Sequence, residues 1–191
     1  MKKTQKLVVG ISGASGAIYG IRLLQALKVL NVESHLVISQ AGNITITEET
    51  NYTLQQVKEL ADYAYAPKDI AAAISSGSFR TLGMVVAPCS MRSLAEIASG
   101  VTTSLLGRAA DVTLKERRRL VLMVRETPFT HIHLENMQRI TLAGGIIAPP
   151  VPAFYTRPTS IDEMVNYSVG RVLDLFGIDL PDMKRWEGLT R

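Results

Sequence analysis

A chain of 191 residues, 47% hydrophobic and 20% charged, suits one folded domain with a single sizeable core and excludes a disordered polymer. No stretch approaches the roughly 20 apolar residues of a membrane span, and the one cysteine, Cys89, cannot form an internal disulfide, which fits a reducing cytoplasm. The net charge of +4 favours anionic partners, but the basic residues are spread out and aromatics make up 6%, which points to phosphate-bearing small molecules rather than nucleic acid.

The N-terminus, Met1-Lys2-Lys3 before an apolar run, imitates a signal peptide but lacks a convincing cleavage site and reads as the approach to a first strand. From Leu7 to Gly20 the pattern is strand, tight turn, helix, with glycines at 10, 13 and 16. This order directs the first free N–H groups of a helix above the strand's carboxyl end, where phosphate is attracted. The spacing is not G-x-G-x-x-G and the P-loop lysine is missing, so a glycine turn that serves only close packing of helix on strand stays open. A helix from about 16 to 30 presents Ile18, Leu23, Leu24, Leu27 and Leu30 on one face. The strand His35–Ile38 then places Ser39 at its carboxyl end, as a helix cap or as a ligand contact.

Helices are expected over 44–49 and 53–61, and Glu48-Glu49 between them reads as a solvated helix end. Residues 71–79 read as a helix running into a small-residue segment. The apolar run Gly83–Ala87 is a strand of a parallel sheet covered on both faces. It breaks at Pro88-Cys89-Ser90, and Ser90-Met91-Arg92-Ser93 opens a helix with two hydroxyls in its first turn. Cys89 reads as a packed thiol, since no base is predicted beside it.

A helix over 103–119 leads to the strand 120–124, which delivers Arg125-Glu126 to its carboxyl end, where open α/β sheets place their chemistry. A helix over 130–143 and a short strand at 145–148 follow. His131 and His133, two apart, point to different faces of that helix and do not form a metal pair. Pro149-Pro150-Val151-Pro152 is a stiff connector, a last helix covers 160–176, and residues 177–191 form a tail whose Trp186 docks on the domain or on a neighbouring subunit. Alternating strands and helices imply a doubly wound, mostly parallel, three-layer α/β sheet of about five strands in a single domain. Residues 12–15, Ser39, 89–93 and 125–126 share one rim of it, a surface suited to a phosphorylated planar cofactor rather than a metal.

The segments Gly10–Gly20, Pro88–Met91, Arg108–Arg118, Val124–Pro128, Ile132–Met137 and Pro152–Tyr155, in that order along nearly the whole chain, resemble the UbiX-type flavin prenyltransferases. These have also been labelled hydroxybenzoate carboxy-lyases or phenylacrylic acid decarboxylases. The resemblance implies a flavodoxin-like or Rossmann-like fold, FMN as cofactor without a metal, and a cytoplasmic homo-oligomer, a dodecamer, with FMN at subunit boundaries. It implies transfer of the dimethylallyl group of dimethylallyl monophosphate to N5 and C6 of reduced FMN, and delivery of prenylated FMN to a UbiD-type decarboxylase, with ubiquinone biosynthesis as one setting.

By position, the implied FMN contacts are Gly13, Ala14, Ser15, Ser39, Ser90, Met91, Arg92, Ser93 and Arg125. The prenyl phosphate would be gripped by Arg108, Lys115, Tyr155 and Arg171, drawn from more than one subunit, while Ser15, Glu49 and Glu126 would handle protons. Around residues 72–79, in the wall of the prenyl pocket, the family varies, and this chain offers small residues and no tryptophan there. The competing readings are a flavin-dependent peptidyl-cysteine decarboxylase, a noncatalytic flavin-binding module, and a direct decarboxylase.

Overall fold

The structure, a computed structural model, describes residues 5–181, 183–186 and 188; Met1–Lys3 and parts of the expected 177–191 tail lie outside the described residues. The chain runs β1 (Lys6–Ile11), α1 (Ala17–Val29), β2 (Glu33–Ile38), α2 (Gln40–Glu49), α3 (Leu54–Leu60), β3 (Tyr63–Tyr65), a 3₁₀ turn (Ala73–Ser75), β4 (Gly83–Cys89), α4 (Met91–Ala98), α5 (Leu105–Lys115), β5 (Arg119–Val124), α6 (His131–Leu142), β6 (Ile146–Ile147), a second 3₁₀ turn (Phe154–Thr156) and α7 (Ile161–Asp174). The strands form one six-stranded sheet in the order β3-β2-β1-β4-β5-β6, and every neighbouring pair is parallel. The order reverses between β1 and β4, and their carboxyl ends open the crevice in which such sheets bind ligands.

Strand alternation makes the three layers. Leu7, Val9 and Ile11 of β1 pack with α1 and α7 on one face, through Leu24, Leu27, Val169 and Leu173. Val8 and the β4 residues Met84 and Val86 pack on the other face with Leu94 of α4, Leu106 and Ala110 of α5 and Ile140 of α6. Burying a leucine such as Leu24 completely stabilises the fold by about 1.5–3 kcal/mol. A register shift between Val86 and Cys89 turns Cys89 onto the same face as Val86. Its fully buried thiol is pushed up to about 12 by desolvation, so it is a packed, unreactive group.

Four expectations are corrected. The sheet has six strands rather than five. Helix α2 starts at Gln40 rather than at 44, because Ser39 caps it by accepting the Gly42 N–H at 3.0 Å. The 103–119 helix shortens to α5: Ser104 caps its start, and Arg117, with φ 55°, turns the chain toward β5. Residues 71–79 form one 3₁₀ turn instead of a helix. Their carbonyls are satisfied by arginine side chains: Arg108 donates to Ser75 O at 3.3 Å, and Arg118 donates to Gly77 O at 2.6 Å and Phe79 O at 2.7 Å. Side-chain donors thus replace the helical ladder that the backbone would otherwise need.

The strand missed in the sequence, β3, is fastened by His35 of β2. Its Nδ1 lies 2.9 Å from the Tyr65 hydroxyl, its ring stacks on Tyr63 at 4.9 Å and meets Phe79 edge-on at 5.0 Å, and its Nε2 lies 2.9 Å from a Glu33 carboxylate that also pairs with Lys6 at 3.2 Å. Burial lowers the His35 pKa despite the opposing pull of Glu33, so the folded state keeps the imidazole neutral. Protonation therefore favours the unfolded chain, and the stability is full above the ordinary histidine value, about 6.5, and is lost as pH falls below it. Urea unfolding midpoints should fall between pH 7 and 5.5, and His35→Gln should remove most of that fall; an unchanged slope in the variant would place the acid sensitivity elsewhere.

Candidate functional site at the carboxyl rim

Ser12, fully buried at the end of β1, joins the two loops that flank the switch point. Its hydroxyl donates to Pro88 O at 2.8 Å and accepts the Ser90 N–H at 2.7 Å, while its own N–H donates to Pro88 O at 3.2 Å. The β1–α1 loop and the β4–α4 turn are thereby held as one surface. Arg125 N donates to Cys89 O at 3.1 Å and brings the end of β5 onto the same rim.

The glycines of the first loop have separate reasons. A Cβ on Gly13 would lie 2.3 Å from the Ala41 Cβ, so close packing against α2 requires it. Gly16, at φ 104°, occupies the left-handed region that L side chains avoid and turns the loop into α1. The anion expected at the head of α1 is supplied by the chain itself: Glu49 accepts the N–H of Gly16 at 2.7 Å and of Ala17 at 3.3 Å. A carboxylate there complements the helix dipole, and it moves Glu49 from the solvated helix end of the sequence reading to the edge of the site.

The donors left over define what the rim can bind. Among the described residues, the N–H groups of Gly13, Ala14 and Ser15, and of Met91 and Arg92 at the head of α4, have no acceptor in the chain. Unpaired backbone donors at the carboxyl rim of a parallel sheet call for an acceptor-rich ligand, and a phosphorylated flavin fits them. Ser90 caps α4 by accepting the Ser93 N–H at 3.2 Å and donates its hydroxyl to the Ser93 hydroxyl at 3.1 Å. Ser39 is likewise engaged as the α2 cap, whereas the exposed Ser15 is free to present its hydroxyl to a ligand. Arg92 pairs with Glu96 at 3.0 Å. Arg125 and Glu126 are exposed, and the Glu126 carboxylate accepts the Thr127 N–H at 3.1 Å.

The four residues expected to grip a prenyl phosphate do not join this rim within one chain. Arg108 pairs with Asp111 on its own helix at 2.8 Å. Lys115 pairs with Glu116 at the end of α5, next to the start of β5 and so at the amino end of the sheet. Tyr155 and Arg171 both line a pocket of about 350 Å³, together with Tyr167, Arg185 and Trp186. The Tyr155 and Tyr167 hydroxyls are hydrogen-bonded to each other. Trp186 rests edge-on against Tyr155 at 5.6 Å, which is docking on the domain itself. Sequence reasoning missed Tyr167, Asp174 and Arg185 here, although the i, i+3 spacing of Arg171 and Asp174 marks a helix-surface ion pair.

Of the two histidines at the start of α6, His133 helps to cap the helix and His131 lies exposed on its surface. His133 accepts the Thr130 N–H at 3.2 Å and its own N–H donates to the Thr130 hydroxyl at 3.3 Å, forming a capping box. His131 pairs with Glu135 at 3.4 Å on the surface. Among the described residues no group of three or more His, Cys, Asp or Glu could hold a metal, and no helix is long and apolar enough to cross a membrane.

The family model named Flavoprotein matches residues 1–173. A probable UbiX-like flavin prenyltransferase of Bacillus subtilis (strain 168) is 62% identical over 97% of this chain and 91% of its own length. The crystal structure of AnUbiX (PadA1) in complex with FMN and dimethylallyl pyrophosphate shares 53% identity and superimposes with a TM-score of 0.96 over 97% of this chain and 99% of that one. A dodecameric FMN-dependent UbiX-like decarboxylase from Escherichia coli O157:H7 shares 52% identity with a TM-score of 0.94, over 96% of this chain and 100% of that one. The peptidyl-cysteine decarboxylase EpiD, at 15% identity and a TM-score of 0.62 over 78% of this chain and 83% of that one, shares the fold alone. With its switch-point rim, its unpaired loop donors and these likenesses over nearly its full length, the chain belongs to the Flavoprotein family and, within it, to the UbiX-type flavin prenyltransferases.

Proposed function

We propose that this protein joins the dimethylallyl group of dimethylallyl monophosphate to N5 and C6 of reduced FMN, as a homo-oligomer of dodecameric form, and passes prenylated FMN to a UbiD-type decarboxylase. The observation that carries the reading is the run of unpaired N–H groups at Gly13–Ser15, locked by Ser12 to the head of α4. The 53% identical AnUbiX, solved with FMN and dimethylallyl pyrophosphate, supports it. Gly13, Ala14, Ser15, Ser39, Ser90, Met91, Arg92, Ser93 and Arg125 would hold the flavin. Reduced FMN supplies two nucleophilic positions, and the ester supplies the allylic carbon and a phosphate leaving group.

The chain's own groups then have two tasks. Negative charge develops on the departing phosphate as the allylic C–O bond breaks, and cations with a phenol stabilise it. Arg108, Lys115, Tyr155 and Arg171 provide these groups, and their separation within one chain favours assembly of the grip from neighbouring copies. The proton lost when the second bond closes the ring needs a base. Glu126 is the carboxylate on the rim for this step, with the departing phosphate or a relay through Ser15 as the other routes, and Glu49 stands at the head of α1. For a monophosphate, protein cations take the part that a metal ion plays toward a diphosphate.

Anaerobic incubation with reduced FMN and dimethylallyl monophosphate, followed by mass spectrometry of the flavin, should recover FMN enlarged by one dimethylallyl unit; recovery of unmodified FMN alone would refute the proposal. Glu126→Gln should retain FMN but slow ring closure by about 10²-fold or more, whereas Arg125→Ala should weaken FMN retention itself, and the reverse pattern would exchange their roles. Glu49→Ala should lower stability by about 0.5–2 kcal/mol through loss of the α1 cap. Glu49→Gln should keep most of that stability in urea titrations yet slow turnover; full activity in Glu49→Gln would restrict Glu49 to capping.

A further inference from the structure

The pocket around Tyr155 and Arg171 holds a second arginine with no role in the reading above. Arg185 makes a two-pronged pair with Asp174, at 3.0 Å to Oδ2 and 2.7 Å to Oδ1, and Arg171 donates to the same Oδ2 at 2.6 Å. The Asp174 side chain is 14% exposed, whereas those of Arg171 and Arg185 are 55% and 44% exposed. One sheltered carboxylate therefore sets the spacing of two accessible guanidinium groups.

We infer that Asp174 is a positioning residue and that Arg185 is a second phosphate-binding cation beside Arg171, the two forming a paired grip for a phosphate monoester. The inference rests on the proposal that Arg171 and Tyr155 hold the prenyl phosphate. Arg171 commits one of its five N–H donors to Asp174, and the rest of its planar fork matches phosphate oxygens. Arg185 also reaches Asp179 at 3.0 Å, but that carboxylate is 92% exposed, and such a pair exchanges readily for a better anion. Arg171 and Arg185 face Asp174 and the exposed Asp179, and Lys184 lies within electrostatic reach of Glu163, so a phosphate would take the place of the Asp179 contact.

The tail is fixed for this role by contacts on both sides. Lys184 donates to Thr156 O at 3.2 Å, and Trp186 lies edge-on against Tyr155 at 5.6 Å. The Tyr155 phenol is oriented in turn by the Tyr167 hydroxyl. The pocket thus offers the remaining donors of the Arg171 fork, the Arg185 donors left beyond its pair with Asp174 and a phenol next to an indole, a set that accepts a dianionic headgroup attached to a short apolar chain.

The test uses the full-length protein with FMN, varying dimethylallyl monophosphate, and inorganic phosphate as a competing anion. Arg185→Ala should raise KM for the prenyl ester about tenfold and raise the phosphate inhibition constant by the same factor, with FMN retention unchanged. Asp174→Asn should do likewise, and Arg185→Lys should recover part of the loss, keeping the charge without the fork. Should Asp174→Asn fail to fold, Arg185→Ala, a change in the exposed tail, decides. Wild-type turnover together with unchanged KM and phosphate inhibition in Arg185→Ala would overturn this inference alone, as would a fall confined to kcat. A wild-type protein that makes no prenylated flavin would overturn it together with the proposed reaction.

Discussion

The rim depends on one buried hydroxyl. Ser12 closes hydrogen bonds to both the carbonyl of Pro88 and the N–H of Ser90, where two loops from neighbouring strands part in opposite directions over the sheet. Without it, the Ser90 N–H would lose its partner and Pro88 O would keep only the Ser12 N–H, and a polar group left unpaired away from water costs about 1–3 kcal/mol. The residue that fixes the two loops is followed directly by Gly13, Ala14 and Ser15, whose N–H groups have no acceptor among the described residues. The rigidity of the rim and its appetite for an acceptor-rich ligand thus sit side by side in the chain.

Much of this was legible in the chain, and the boundary of legibility is physical. The strands β1, β4 and β5 are covered on both faces and read as continuous apolar runs, and α1 and α7 carry an apolar stripe of helical period. The strand β3 left no such signal, because Tyr63 and Ala64 are exposed at the sheet edge and the strand is held by a buried histidine from its neighbour. Residues 71–79 carry no sign that two arginines, 33 to 41 positions away, take their carbonyls. Local propensity describes a segment by itself; these segments are shaped by side chains from elsewhere.

The site divides in the same way. The rim residues were legible because a parallel sheet gathers its carboxyl ends, so position along each strand was enough to assemble Gly13–Ser15, Ser39, Ser90–Ser93, Arg125 and Glu126. The residues proposed to grip the prenyl phosphate were named only through resemblance. Arg108, Lys115, Tyr155 and Arg171 stand on helices and a turn whose relation to the rim no strand pattern encodes, and Asp174 and Arg185 become visible only when α7 and the tail are seen together. Glu49 is an intermediate case, since its residue type was noted but its 33-residue reach to Gly16 is a property of the folded chain.

That reach makes the last residue of α2 the cap of α1, where a carboxylate answers the positive end of the helix. The loop between β1 and α1 is therefore pinned at both ends, by Ser12 to the β4–α4 turn and by Glu49 at the first turn of α1, so its intervening backbone is held between two neighbours that lie far from it in the chain.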